Sequence, residues 1–178
     1  MYPIRRQILE SIRAARLPAL RPGEAHVHRF RVTPWDIDPF GDFNNGRIIT
    51  LTDIGRIALA QRMGLIKVMR ARRWGLAMAG STPQYRKRVT VFQRCETRSR
   101  IVARDPRFIY IEHLLMAEGA PAAHIMCRTV ITAERRMVPT DEVVAALGDP
   151  GWNPEKPDWV KAWIEAEALR PWPPALAA

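Results

Sequence analysis

Three carboxylates and two amides crowd the stretch Trp35-Asp36-Ile37-Asp38-Pro39-Phe40-Gly41-Asp42-Phe43-Asn44-Asn45-Gly46. A carboxylate held beside a reacting centre can attack a carbonyl carbon itself or take a proton from the water that does. The residues that follow read as a helix, so these acids precede a helix N-terminus. There the first backbone N–H groups are unpaired and carry positive partial charge. Such N–H groups receive a carbonyl oxygen and stabilise the oxyanion formed when it is attacked. Acid plus helix tip therefore suits acyl transfer. The same composition also suits a loop whose acids only cap the helix, and residue types alone leave both readings open.

The helix that would position this loop is the clearest element of the chain. From Asn45 to about Ile66, apolar residues Ile48, Leu51, Ile54, Ala58, Met63 and Ile66 recur at three- and four-residue intervals. Ile49, Ile57, Leu59 and Leu65 widen the stripe, as a helix buried on more than one side requires. Asn44 or Asn45 is the expected cap. Before the loop, His26 to Thr33 alternates as a half-buried strand. After the helix the period drops to two, with strands expected near 75–80, 84–89, 95–103, 108–117 and 122–133. Arg104-Asp105-Pro106-Arg107 and Glu118-Gly119-Ala120-Pro121 supply turn chemistry for antiparallel hairpins. If Glu118-Gly119 is a tight turn, His113 and His124 come to face each other. Strand, long helix, then meander is an α+β order rather than alternating βαβ.

The string V-x-P-x-D-x-D-x-x-x-D-x-N-N-G-R, from Val32 to Arg47, resembles the signature of hotdog-fold acyl-CoA thioesterases of the 4-hydroxybenzoyl-CoA thioesterase type. Leu51-Thr52-Asp53-Ile54-Gly55-Arg56 continues the likeness into the helix. The resemblance covers residues 26–137 and implies a long helix wrapped by a curved antiparallel sheet. It places Asp38 on the catalytic carboxylate, and Asn44 and Asn45 at the helix entry whose N–H polarises the thioester carbonyl. It further implies that Arg47, Arg86, Lys87 and Arg88 face the phosphates of coenzyme A, for which arginine's planar fork is well suited. Arg94, Arg98 and Arg100 are further basic candidates. Coenzyme A enters as part of the substrate, with no separate cofactor, and the protein is expected to pair into dimers or tetramers with the site between subunits. Two positions depart from the family pattern: Asp42 stands where a histidine is usual, and Ile48 where an aromatic often follows. The function implied is hydrolysis of an acyl-CoA to a carboxylic acid and coenzyme A. The alternative is a non-catalytic acyl-CoA or acyl-carrier binding protein on the same fold.

Bulk properties agree with one domain of ordinary composition. Hydrophobic residues make up 47% and charged residues 26% of 178 residues. The net charge of +10 favours polyanionic partners without choosing among them. No nucleic-acid motif or stacking platform is visible, so a nucleic acid is not an expected partner. With only Cys95 and Cys127, a disulfide framework is not expected and a reducing, cytoplasmic compartment fits. His26 and His28 share a strand face but lack further ligands, so no metal site is expected. No apolar run reaches the ~20 residues needed to span a bilayer, and the arginine-rich start lacks the apolar core of a secretory signal. Residues 1–25 are read as a helical extension, with Ile4, Ile8 and Ile12 at helical spacing. Residues 138–178, rich in Pro and Trp with a short helix near 158–168, are read as a tail that packs on the domain through its aromatics.

Overall fold

The structure, a computed structural model, describes residues 2–134 and 136–173; the tail expectation at Pro174 and beyond lies outside them. Helix α1 (Ile4–Ala14) leads to β1 (His26–Arg31), a single 3-10 turn at Pro34–Asp36, and α2 (Asn45–Arg62). Then come α3 (Leu65–Arg72), β2 (Trp74–Tyr85), β3 (Arg94–Arg104), β4 (Ile109–Ala117), β5 (Ala120–Ala133), β6 (Arg136–Met137), α4 (Thr140–Ala146) and α5 (Asp158–Ala168). The strands form one antiparallel sheet in the order β1-β3-β4-β5-β2, with β6 on β5. This sheet curls around α2 as an α+β hotdog.

Leu51, Ile54, Ala58 and Leu59 of α2 are buried, as their spacing predicts. At the point of closest approach only glycine fits. A Cβ on Gly55 would stand 2.8 Å from Ser99 Oγ and 3.1 Å from Thr97 Oγ1. The sheet face beneath is polar, with His28, Thr97, Ser99 and His113 all buried. His113 Nδ1 lies 2.8 Å from Ser99 Oγ, while His28 Nδ1, Thr97 Oγ1 and His113 Nε2 have no hydrogen-bond partner among the described residues.

Three expectations are corrected. The long helix ends at Arg62 instead of near Ile66, because Gly64 takes a left-handed φ of 79° and a separate helix α3 begins at Leu65. The two strands expected at 75–80 and 84–89 are one strand, β2, which ends at Tyr85. Pro83 is accommodated because β2 lies at the sheet edge, where a missing N–H breaks no ladder. Past Tyr85 the chain leaves the sheet, and Arg86 and Lys87 N–H both donate to the Ala122 carbonyl at 2.9 and 3.0 Å. His113 and His124 do not pair. Glu118-Gly119 is the tight turn, but a bulge between Leu115 and Met116 shifts the register by one, so His113 faces Ile125 and His124 faces Leu114. Helices α3 and α4 and the short β6 were not anticipated, being too short to show a periodic signal.

Part of the C-terminal segment lies against the sheet, while Trp172 is exposed. Val160 is buried, Trp163 meets Tyr110 edge-on at 6.0 Å, and Trp159 meets His124 at 5.2 Å. Arg128 lies over the rings of Phe108 and Trp163.

Candidate active site

The loop between β1 and α2 is built around Asp36, which is fully buried. One carboxylate oxygen accepts from the Thr33 N–H (2.9 Å), the Thr33 hydroxyl (2.8 Å) and Arg6 (2.9 Å). The other accepts from Arg47 at 2.9 Å. Burial pushes this carboxyl up, but the Thr33 and arginine hydrogen bonds outweigh it and hold the group below the usual carboxylate value. The Asp36 carbonyl then accepts the Asn44 N–H at 2.9 Å, which fixes the entry to α2.

Asp38 is half-buried and closes the next turn. Its N–H donates to the Asp42 carbonyl at 2.8 Å, and its Oδ1 accepts from the N–H groups of Phe40 (2.9 Å) and Asp42 (3.1 Å). That leaves Oδ2 without a hydrogen bond among the described residues. Asn44 is the helix cap: its Oδ1 accepts the Arg47 N–H at 3.1 Å and its carbonyl accepts the Ile48 N–H at 2.9 Å. The N–H groups of Asn45 and Gly46 therefore remain at the positive tip of α2.

A groove of about 290 Å³ opens at this tip. Phe43, Ile48, Leu115 and Ala123 form its apolar floor; Asn45, Asp42 and the run Tyr85 to Arg88 form its rim. Phe43 N–H donates to the Val89 carbonyl at 2.8 Å, so loop and rim are pinned together. Arg88 pairs with Asp42 and donates to the Phe40 carbonyl at 2.9 Å. A larger groove of about 660 Å³ lies between β1 and β3. Of its three arginines, Arg29 pairs with Glu96, Arg94 pairs with Glu118, and Arg31 donates to the Phe92 carbonyl at 3.0 Å.

The residues expected at the site are thus divided. Asn45, Arg86, Lys87 and Arg88 line the groove; Asp38, in the loop, and Asn44, at the cap, do not line it. Arg47 is turned to Asp36. Arg98 and Arg100 lie on an outer face, paired with Glu96 and Glu112. Sequence reasoning missed Tyr85, Leu115 and Ala123. The last two are cross-strand partners, and the period of two does put them on an inward face. It also missed Asp53, the one acid of α2. Burial raises its carboxyl, opposed by Arg56 at 2.6 Å, and the pair faces Met78 of β2. Cys95 and Cys127 are buried, their thiols pushed up by desolvation to about 12 and about 11, so neither is a nucleophile at neutral pH. Among the described residues no group of His, Cys, Asp or Glu is arranged to hold a metal ion.

An antiparallel sheet curled around one long helix, with a carboxylate-bearing loop leading into that helix, is the build of a thioesterase-like hotdog protein. The model of the Thioesterase-like superfamily matches residues 32–164, and the chain belongs to that family. Among curated proteins, the chain is similar to Protein THEM6 of Drosophila melanogaster, 27% identical over 140 residues, covering 77% of this chain and 70% of that protein. Protein THEM6 of Xenopus laevis is 28% identical over 143 residues, covering 79% and 67%. Among solved structures, the YbaW probable thioesterase from Escherichia coli superposes with a TM-score of 0.65 at 13% identity, over 70% of this chain and 97% of that one. A Thermus thermophilus thioesterase complexed with coenzyme A and zinc gives 0.61 at 21%, over 71% and 98%. Among the described residues no helix is long and apolar enough to cross a membrane.

Proposed function

We propose that the chain hydrolyses an acyl-CoA thioester at the groove beside the start of α2. The observation that carries this is the meeting, in one groove, of the helix tip at Asn45, an apolar floor and the basic rim of Arg86 and Lys87. The floor takes the acyl group and the rim takes coenzyme A phosphates. The Asn45 and Gly46 N–H groups receive the thioester oxygen. Asp38, through Oδ2, takes a proton from water; the resulting hydroxide adds to the carbonyl carbon, and collapse of the oxyanion expels the coenzyme A thiolate, which picks up a proton. In this reading two subunits join along β2, a long edge strand with exposed side chains. Static light scattering then gives twice the mass of one chain, and a monomer would remove that part.

The test is thiol release over short, long and aromatic acyl-CoAs with wild type, Asp38→Asn and Asp42→Asn. Asp38→Asn is expected to lower kcat by about a hundredfold or more, the range of a lost general base, while coenzyme A binding persists. Undiminished turnover in that variant refutes the assignment, and a loss confined to Asp42→Asn moves the role to the acid that lines the groove. Saturable coenzyme A binding with no thiol release from any substrate would mark the protein as a binding module.

A further inference from the structure

Helix α1 is fastened on one side and uncovered on another. Arg6 reaches Asp36, Glu10 Oε1 lies 2.9 Å from His26 Nε2, and Gln61 donates to the Ser11 carbonyl at 2.9 Å. Ala14 and Glu10 are buried. The orientation of α1 is therefore fixed by polar contacts, and what it shows to solvent is displayed by the fold. What it shows is apolar: Ile4, Ile8, Leu9 and Ile12 are 62%, 54%, 57% and 48% exposed. At 100° per residue Ile4, Ile8 and Ile12 form one stripe. Ile8 and Ile12 also wall a groove of about 730 Å³ whose far side carries Ile57 of α2 and Ile66, Lys67 and Arg70 of α3. Among the described residues no carboxylate lines it. Arg5 follows the stripe on α1, and Arg16 lies exposed in the turn after it.

We propose that this face docks on an anionic lipid surface, with α1 lying in the plane of the interface. The isoleucines enter the acyl boundary, and Arg5, Arg16, Lys67 and Arg70 meet headgroup phosphates. A fixed apolar stripe rimmed by cations is the arrangement that binds such surfaces. A second copy is a poorer occupant, because a two-fold contact sets each patch on itself. Here that sets Lys67 and Arg70 of one copy near those of the other, in a chain already at +10.

Co-sedimentation of the full chain with phosphatidylcholine vesicles containing about 30 mol% phosphatidylserine, against pure phosphatidylcholine, tests this. Wild type is expected to partition onto the anionic vesicles about tenfold more strongly, with the difference fading as salt rises. Ile8→Ser with Ile12→Ser is expected to lower that partitioning about tenfold or more. Arg5→Gln with Arg16→Gln is expected to weaken it and flatten the salt dependence. Circular dichroism confirms that each variant is folded; should the isoleucine pair unfold, Ile4→Ser reads the same stripe. Wild type that stays in the supernatant with both vesicles overturns the proposal, as does a folded isoleucine variant that binds like wild type. A drop in assembly mass by light scattering on Ile8→Ser with Ile12→Ser, with no vesicle binding by wild type, assigns the face to a second copy instead and equally overturns it.

Discussion

Two acids separated by a single residue have opposite surroundings: Asp36 has no solvent exposure and spends both oxygens on Thr33, Arg6 and Arg47, while Asp38 keeps one oxygen unbonded. Removing the buried one takes the carboxylate away from Arg6 and Arg47, and breaking a buried ion pair costs about 3 kcal/mol. Asp36→Ala should therefore lower the thermal midpoint by roughly 6–12 °C for a chain of this size, and a shift under a degree in a calorimetric scan would contradict the role. Because the folded-state pKa of Asp36 is depressed, its contribution is present above the ordinary carboxylate range and is lost as pH falls through the folded value. The sequence made the cluster of acids visible but not which acid is buried. That distinction depends on Arg6, thirty residues away, which no local pattern connects to the loop.

Among elements, α2 was legible because its apolar spacing is dense and its cap chemistry is local. Its end was less so, since Met63 and Ile66 continue the periodicity across Gly64, whose backbone turns left-handed. The misread 84–89 strand has a similar origin. Tyr85 and Val89 fall on one face at even spacing, yet the Arg86-Lys87-Arg88 run between them belongs to the groove rim, where the Arg86 and Lys87 N–H groups meet the Ala122 carbonyl. Register was lost at the Leu115–Met116 bulge, because an inserted residue leaves no mark in a pattern of period two. The tightest fit between elements is at Gly55. Gly55→Val would press its side chain into Ser99 and Thr97 and should destabilise the fold by about 2 kcal/mol, as overpacking does. Urea unfolding measures this; a midpoint equal to wild type would show that α2 does not approach the sheet so closely.

For the whole molecule, the buried histidines set a pH limit. Desolvation lowers His28 to about 4, aided by Arg13, Arg6 and His26 against Glu10, and lowers His113 to about 3, aided by Arg56. Between these values and the ordinary 6.5, the unfolded chain binds protons that the folded chain refuses, so stability falls as pH falls. From pH ~7.5 to ~5.5 the two histidines together remove roughly 2–3 kcal/mol. Chemical unfolding at the two pH values should show that loss, and His28→Phe should remove about half of it. An unchanged slope in that variant would mean that His28 is protonated without penalty.

The contact between Arg6 and Asp36 has a practical corollary for anyone trimming the chain. The family segment starts at residue 32, so a fragment cut at residue 25 keeps all of it. Such a fragment would nonetheless discard the guanidinium that neutralises one oxygen of the loop's interior acid. It should fold poorly or leave residues 33–44 unsettled, and a missing activity in it would say nothing about whether the intact protein is an enzyme.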